Sequence, residues 1–532
     1  MMFPENSLRP LRRISEILLL APLLLPACKQ EETPPEEPLN IFFIMSDDHS
    51  YQTISAYGHG LNHTPNIDRI ARDGIVFTRS FVANSLSGPS RACLLTGKHS
   101  LANGFTDNAT IFDGSQQTFP KLLRQAGYQT AIVGKWHLGS VPQGFDYWNI
   151  LIGQGQYYSP TFIDNGDTTV IQGYATQITA DLAINWLETL RDKEKPFMLM
   201  MHNKAPHRTW MPDIEDLGTY DREDIPLPAN FYDDYRGREA ASLQEMRIDK
   251  DMRPDYDLKI GLDWTTRMNP NQREAWNNYY GRIEEEFNAA DLKDNDLAEW
   301  KYQRYMRDYL GCINSVDRNV GRVLDWLEAN GLLENTLVIY TSDQGFYMGE
   351  HGWFDKRFMY EESFRTPLII RMPGGRKGTA DKLVQNIDLA PTFLDIAGVS
   401  VPEDMHGTSL LPLLEGKKVR RWRDALYYHY HEFPAEHTVR KHFGVRDGRY
   451  KLIRFYDDGT PPGNRRGIKD PEKAKVTVNA WELYDLEKDP SEMHNVYGQP
   501  GTRRITRIMK RKLSKLQEQY GEESFHIEED EQ

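Results

Sequence analysis

Cysteine is nearly absent: the 532 residues hold three, Cys28, Cys93 and Cys312, set far apart. So few exclude a disulfide framework and any thiolate zinc cluster, and a metal, if the chain binds one, must take oxygen or imidazole ligands. A basic surplus is missing as well. The 64 Lys and Arg face 78 Asp and Glu, a formal net charge of −14, which argues against a general role on nucleic acid. Any anionic ligand must then be met by a few focused cations. There is no internal repeat and no Gly or Pro excess. With 39% hydrophobic and 27% charged residues, the composition is that of a soluble globular protein and excludes collagen, coiled coil and bulk disorder. Long apolar runs are also lacking: Ile17–Leu25, interrupted by Pro22, is too short for a stable membrane anchor.

That run follows a basic lead of Arg9, Arg12 and Arg13 and ends in Leu25-Pro26-Ala27-Cys28, the form of a processing segment. A polar stretch over 29–38 behind Cys28 completes a resemblance to a bacterial lipoprotein signal, although Pro26 is unusual in such a cleavage box. The resemblance implies a signal peptide over 1–27, an acylated Cys28 and a tether over 28–38. The expected address is the periplasm or outer membrane of a Gram-negative bacterium, with membrane contact only through the lipid. An ordinary secretory signal and a buried N-terminal helix are the alternatives.

Two apolar runs deliver acids at their C-terminal ends: Leu39–Met45 before Ser46-Asp47-Asp48, and Thr336–Thr341 before Ser342-Asp343-Gln344. Between them, Gln129–Val133 leads to Lys135 and His137, and Phe197–Met201 leads to Lys204 and His207. Helical periodicity over Asn66–Asp73, Ala175–Arg191 and Ala298–Ala329 separates these strands. The alternation predicts an α/β fold, a large, mostly parallel sheet with helices on both faces and ligands outside the strand C-termini. Residues 39–421 form this domain, with an acidic, weakly periodic insertion over about 214–296 as part of the substrate rim. From 422 to 532 the pattern changes to short aromatic strands and a final amphipathic helix near Arg504–Tyr520, a smaller antiparallel-sheet subdomain.

The most specific segment is Ser87-Gly88-Pro89-Ser90-Arg91-Ala92-Cys93-Leu94-Leu95-Thr96-Gly97. It resembles the type I sulfatase signature of the alkaline-phosphatase-like superfamily at every fixed position, and further matches extend over roughly residues 39–500. In that family the first residue is oxidised to formylglycine, whose hydrate carries two geminal hydroxyls. The resemblance makes Ser87 the nucleophile precursor and implies a serine-type anaerobic sulfatase-maturating enzyme as a partner. The chemistry needs this device, because a serine sulfate can leave only by attack of water, whereas a sulfated gem-diol expels sulfate when its second hydroxyl loses a proton.

The resemblance also implies the surrounding set. Asp47, Asp48, Asp343 and Gln344, joined by residue 87, would hold a hard cation, with Ca²⁺ favoured and Mg²⁺ as the alternative. Gln344 departs from the more common Asn or His. For Asp47-Asp48 taken alone, a solvated strand-end turn is the simpler reading; Asp343 after a second matching strand reverses it. Arg91 and Lys135 would hold the nucleophile, His137 would take the proton from its second hydroxyl, and Lys356 with His207 would contact the leaving-group side. His202, His351 and His406 read as structural.

Segments 204–210, 352–358 and 427–434 resemble the bacterial N-acetylglucosamine-6-sulfatase branch, which acts on heparan-type and related glycans, so the expected substrate is a sulfated glycan carrying 6-O-sulfate. Asp355, Arg357 and His437 are the candidate sugar-binding residues. A salt-bridged loop is the alternative for the first two, and an exposed loop histidine for the third. Competing functions are a sulfatase of another sugar position such as uronate 2-O-sulfate, a phosphate or phosphonate ester hydrolase of the same superfamily, and an unmodified glycan-binding lipoprotein.

Overall fold

The structure, a computed structural model, describes residues 38–459 and 469–522. The expected signal peptide and acylated Cys28 lie outside the described residues. Ten strands form the large sheet: β1 (Asn40–Ser46), β2 (Ile75–Phe77), β3 (Gln129–Lys135), β4 (Tyr147–Leu151), β5 (Thr161–Asp164), β6 (Asp167–Val170), β7 (Phe197–Asn203), β8 (Thr336–Ser342), β9 (Leu368–Arg371) and β10 (Gly378–Ala380), in the order β10-β2-β9-β8-β1-β7-β3-β4-β5-β6. The central strands β8, β1, β7, β3 and β4 are parallel. The expectation of a mainly parallel sheet holds there, while β9 against β8 and the β5–β6 hairpin run antiparallel.

The apolar run of β1 is continuous because both faces of the sheet are covered. Phe42 and Ile44 pack into one core with Tyr302, Tyr305 and Tyr309 of the long helix Asp294–Ala329. Ile41, Phe43 and Met45, pointing the other way, pack into a second core with Phe393 and Leu394 of the helix Leu389–Ile396. Register fixes the active end: Ser46 of β1 lies opposite Asn203 of β7 and Ser342 of β8, so the polar residues that follow these strands emerge at one level.

The C-terminal sheet comprises β11 (Ala425–Tyr430), β12 (His442–Asp447), β13 (Tyr450–Phe455) and β14 (Ala480–Asp485), all antiparallel in that order. Its alternation serves two partners. Tyr427, Val445, Leu452 and Leu483 pack against Met509 and Leu513 of the helix Arg503–Tyr520, whereas Tyr428, Tyr430, Ile453 and Phe455 join the first core of the main body.

The stretch 214–296 is not uniformly irregular. It contains the helix Pro270–Ala290, started by an Asn269/Gln272 capping box with Pro270 at its first position. Trp276, Tyr280 and Ile283 are its buried stripe. Among the described residues no helix is long and apolar enough to cross a membrane.

Candidate active site

The signature forms the helix Ser87–Thr96, every residue of which is buried, ended by Gly97 in the left-handed conformation (φ 68°). Its positive N-terminus opens on the strand ends, and Ser87 is the first helical residue. Gly88 packs closely there: a Cβ would meet Asn108 Oδ1 at 2.6 Å and have to displace that side chain, and the Gly88 N–H donates to the same oxygen at 3.0 Å. Ser87 Oγ donates to Asp47 Oδ1 at 3.2 Å, and the Gln344 amide donates to Ser87 Oγ at 3.2 Å.

Around the hydroxyl, charges alternate. Arg91 donates through Nε (3.1 Å) and Nη2 (3.0 Å) to Asp343 Oδ2, and through Nη1 (3.1 Å) to the Lys135 carbonyl. Asp343 Oδ1 accepts the Asp48 N–H at 3.0 Å. Lys135 Nζ donates to Asp47 and, at 2.5 Å, to Gln154 Oε1. Lys356 Nζ holds both oxygens of Asp48 at 2.5 and 2.6 Å. His207 Nε2 stands 3.8 Å from Asp48 Oδ2, and its Nδ1 is 2.6 Å from the Arg208 carbonyl, which fixes Nδ1 as the protonated nitrogen. His137 lies beside them, partly buried, with Nδ1 free of any hydrogen-bond partner.

Burial and these partners set the ionisation. Burial alone would raise Asp47, but the cations Lys135 and Arg91 outweigh it and hold the carboxyl well below its usual range. Asp48 is pushed up by burial to about 7 despite Lys356, with Asp47 and Asp343 adding to the rise. Asp343 is also raised, by burial and by Asp47. Burial, followed by Lys135, keeps His137 well below the ordinary imidazole value, so it stands ready to accept a proton. His207 is likewise neutral here through burial.

The donor set fits a hard divalent cation. Three carboxylates and an amide converge, all of them oxygen donors, and a ligand oxygen of Asp47 and of Asp48 lies within 4.8 Å of a ring nitrogen of His207. Gln344 Oε1 is buried without a partner while its amide nitrogen faces Asp48 and Ser87. An amide flip turns that oxygen onto the carboxylates.

Asp355, Arg357 and His437 form an adjoining group joined through Lys356, whose Nζ is 3.8 Å from Asp355. Asp355 and Arg357 are salt-bridged (3.3 Å), and Asp355 Oδ2 also holds His437 Nε2 at 2.6 Å. His437 is 2% exposed, so it is no surface-loop histidine. Sequence reading missed Glu432, Glu436 and Arg208. Arg357 bridges to Glu432 (3.2 Å) and Glu436 (3.5 Å), and Arg208 to Asp257 (2.6 Å) and Glu436 (3.2 Å). Arg208 and Glu432 lie in segments already singled out, 204–210 and 427–434, while Glu436, next to His437, had no spacing to mark it. Lys204, named at its strand end but given no role, is buried with its pKa lowered by burial to about 7, and Gln154 carried no signal at all. His202, His351 and His406 sit in hydrogen bonds with Arg91, Asp233 and the His99 N–H, consistent with structural roles.

Backbone strain concentrates here. Asp48, His137, Asp355, Arg357 and His437 all have φ between 58° and 93°, a region costing non-glycine residues about 1–3 kcal/mol each, tolerated where the surroundings overdetermine it.

Three cations around three buried carboxylates balance without a metal; with a divalent ion the pocket is positive and draws an anionic ester to a helix terminus bearing a hydroxyl. That is the design of alkaline-phosphatase-like ester hydrolases. Within this class the sulfatase family model matches residues 39–399, and the chain belongs to the sulfatase family; it is a sulfuric ester hydrolase. A second model, the C-terminal region of N-sulphoglucosamine sulphohydrolase, matches 349–476 and 473–519. The chain is 49% identical to an N-acetylglucosamine-6-O-sulfatase of Bacteroides thetaiotaomicron, over 95% of this chain and 90% of that one. It is similar to a structure solved in complex with its substrate, D-glucosamine-2-N,6-O-disulfate, with TM-score 0.87, 48% identity, and coverage of 93% of this chain and all of the other. A phosphonate monoester hydrolase of Agrobacterium radiobacter shares the fold at TM-score 0.65 and 22% identity, covering 91% and 96%; that likeness concerns the fold alone.

Proposed function

We propose that this sulfatase removes the 6-O-sulfate of glucosamine or N-acetylglucosamine residues in glycosaminoglycan-type or mucin-type glycans. The observation that carries the substrate is the 49% identity, along nearly the whole chain, to an N-acetylglucosamine-6-O-sulfatase. Asp47, Asp48, Asp343, Gln344 and residue 87 hold Ca²⁺, with Mg²⁺ as the alternative, and the ion supplies positive charge against the sulfate oxygens. Residue 87 acts after a serine-type anaerobic maturase oxidises Ser87 to formylglycine, whose hydrate would supply the nucleophilic hydroxyl and a second one. Arg91 and Lys135 orient that residue, His137 receives its proton, and Lys356 binds sulfate. His207 gives a proton through Nε2 to the departing sugar oxygen, once the anionic ester favours its protonated form. Asp355, Arg357 and His437 read the sugar. The N-terminal segment directs export as a periplasmic or outer-membrane lipoprotein.

A panel of sulfated monosaccharides and glycosaminoglycan oligosaccharides tests the substrate. Release of 6-O-sulfate from both N-acetylated and N-sulfated glucosamine is expected; preference for 2-O-sulfated uronate or 4-O-sulfated galactosamine refutes the assignment.

Metal removal is a second test. Chelation is expected to abolish activity and lower the melting temperature, since a ligand at 100 times its Kd contributes about 2.7 kcal/mol of stability, and Ca²⁺ restores both. Asp343→Ala is expected to block restoration, but it also strands Arg91 without its partner, a change worth about 3–5 kcal/mol when the charge is buried. Asp343→Asn is the cleaner variant. Full activity in a demonstrably metal-free sample sinks the site.

A further inference from the structure

Away from the catalytic cleft, three ligand-type side chains meet where the last helix closes on the C-terminal sheet. His429 lies on β11, the edge strand of that sheet, His431 just beyond its end, and Glu522 two residues after the helix Arg503–Tyr520. One nitrogen or oxygen of each lies within 4.8 Å of the others. The two imidazoles stack with centroids 3.6 Å apart at 30°, and His429 Nδ1 is 2.6 Å from Glu522 Oε2. Outer groups orient these: Tyr456 Oη is 2.7 Å from His429 Nε2, and Tyr427 donates its hydroxyl hydrogen to Glu522 Oε2 at 2.6 Å.

We propose that His429, His431 and Glu522 form a second metal site, for a transition ion of the zinc class, that ties the terminal helix to the edge of the C-terminal sheet. The donor chemistry separates it from the cleft: two imidazoles and one carboxylate suit Zn²⁺, Co²⁺ or Ni²⁺, whereas Ca²⁺ takes oxygen alone. The ligand atoms already lie within 4.8 Å of one another. Two imidazoles on one tetrahedral ion hold their ring centroids about 5 Å apart, so the stacked rings must swing open around the ion by side-chain rotation. The His429–Glu522 contact must open by about 0.7 Å, measured on the same tetrahedral scale. The proton now shared between His429 Nδ1 and Glu522 leaves to solvent, and Nε2–H donates to Tyr456, the outer hydrogen bond that metal-bound histidines characteristically make. Burial already holds both imidazoles well below their ordinary value, in the neutral form a metal requires.

The test uses the full chain, stripped with chelator and reloaded with Ca²⁺ alone, then titrated with Co²⁺ and with Zn²⁺. One equivalent of Co²⁺ is expected to bind with tetrahedral d–d bands, and Zn²⁺ to displace it and raise the melting temperature. Asp343→Asn is expected to keep this site. His431→Ala, at a partly exposed ring, is expected to weaken binding more than about 100-fold, and Tyr456→Phe about 10–100-fold, the usual cost of losing an orienting partner. His406→Ala, whose ring packs on Tyr520 at 4.9 Å outside the trio, is expected to leave it unchanged. Absence of binding beyond the cleft ion, or equal binding by His431→Ala, overturns the proposal.

Discussion

Ser87→Ala is expected to remove turnover while leaving a folded, metal-binding protein. Losing the nucleophile of a catalytic constellation costs on the order of 10⁴–10⁶ in kcat, or about 5–8 kcal/mol of barrier. The cost to stability is small by comparison. Ser87 Oγ makes two hydrogen bonds, to Asp47 and from Gln344, and a hydrogen bond is worth about 1 kcal/mol net. Asp47 keeps Lys135 and, at 3.8 Å, Arg91. Circular dichroism and thermal melting of the variant should therefore overlay closely on those of the parent, while sulfate release from a sugar 6-O-sulfate falls to background.

The same residue gives a sharper form of the test. Protein made without the serine-type maturase should be largely inactive, and a peptide spanning residue 87 from active enzyme should be about 2 Da lighter than its serine form, the mass of the two hydrogens lost when an alcohol becomes an aldehyde. Ser87→Cys in a host with a cysteine-oxidising system should regain activity. Full activity of unmodified serine protein would show that formylglycine is not the nucleophile.

How much of this was legible beforehand depends on range. Strands such as β1 and β8 announce themselves because both faces are buried and their middles are apolar, Ile41–Met45 and Leu337–Tyr340, and the acids at their ends follow from position alone. The edge beyond β8 did not, because β2, β9 and β10 are only three or four residues long and owe their direction, antiparallel for β9 and parallel for β10 on β2, to neighbours far off in sequence. The helix Pro270–Ala290 was obscured by its charged surface, although Trp276, Tyr280 and Ile283 at helical spacing, with Asn269-Pro270 and Gln272 before them, are a readable start and stripe. The charged cluster around Ser87 was legible through its motif; in the network beside it Asp355, Arg357 and His437 were named, and their partners Glu432, Glu436 and Arg208 were not. Glu432 and Glu436 meet Arg357 only because β11 joins the main core through Tyr428 and Tyr430, and such a juxtaposition is a property of packing between distant segments. The positive φ at Arg357 (93°) is likewise imposed by tertiary contacts, since arginine has no local preference for that region, whereas His137 and His437 belong to a residue type that enters it more readily.

His207→Ala is expected to separate two kinds of substrate. A sugar hydroxyl is a very weak acid, so breaking its sulfate ester expels an alkoxide that needs a proton in the transition state, and general-acid help of this kind is worth about 10²–10⁴-fold. A nitrophenolate leaves with almost none. Nδ1 is committed to the Arg208 carbonyl at 2.6 Å, which leaves Nε2 for proton transfer, and the His207 side chain is 15% exposed where Asp48 and Lys356 are 1% and 5%. His207→Ala should therefore lose about 10²–10⁴ in kcat/KM on the sugar sulfate and little on an activated aryl sulfate. Arg91 supplies the contrast. It pins Asp343 and the Lys135 carbonyl, groups that serve either ester equally, so Arg91→Lys, which keeps the charge and loses the fork, should damage both reactions alike. Measuring kcat/KM for both variants on both esters decides between the roles, because equal losses for His207→Ala would make that imidazole a sulfate-binding group instead of a proton donor.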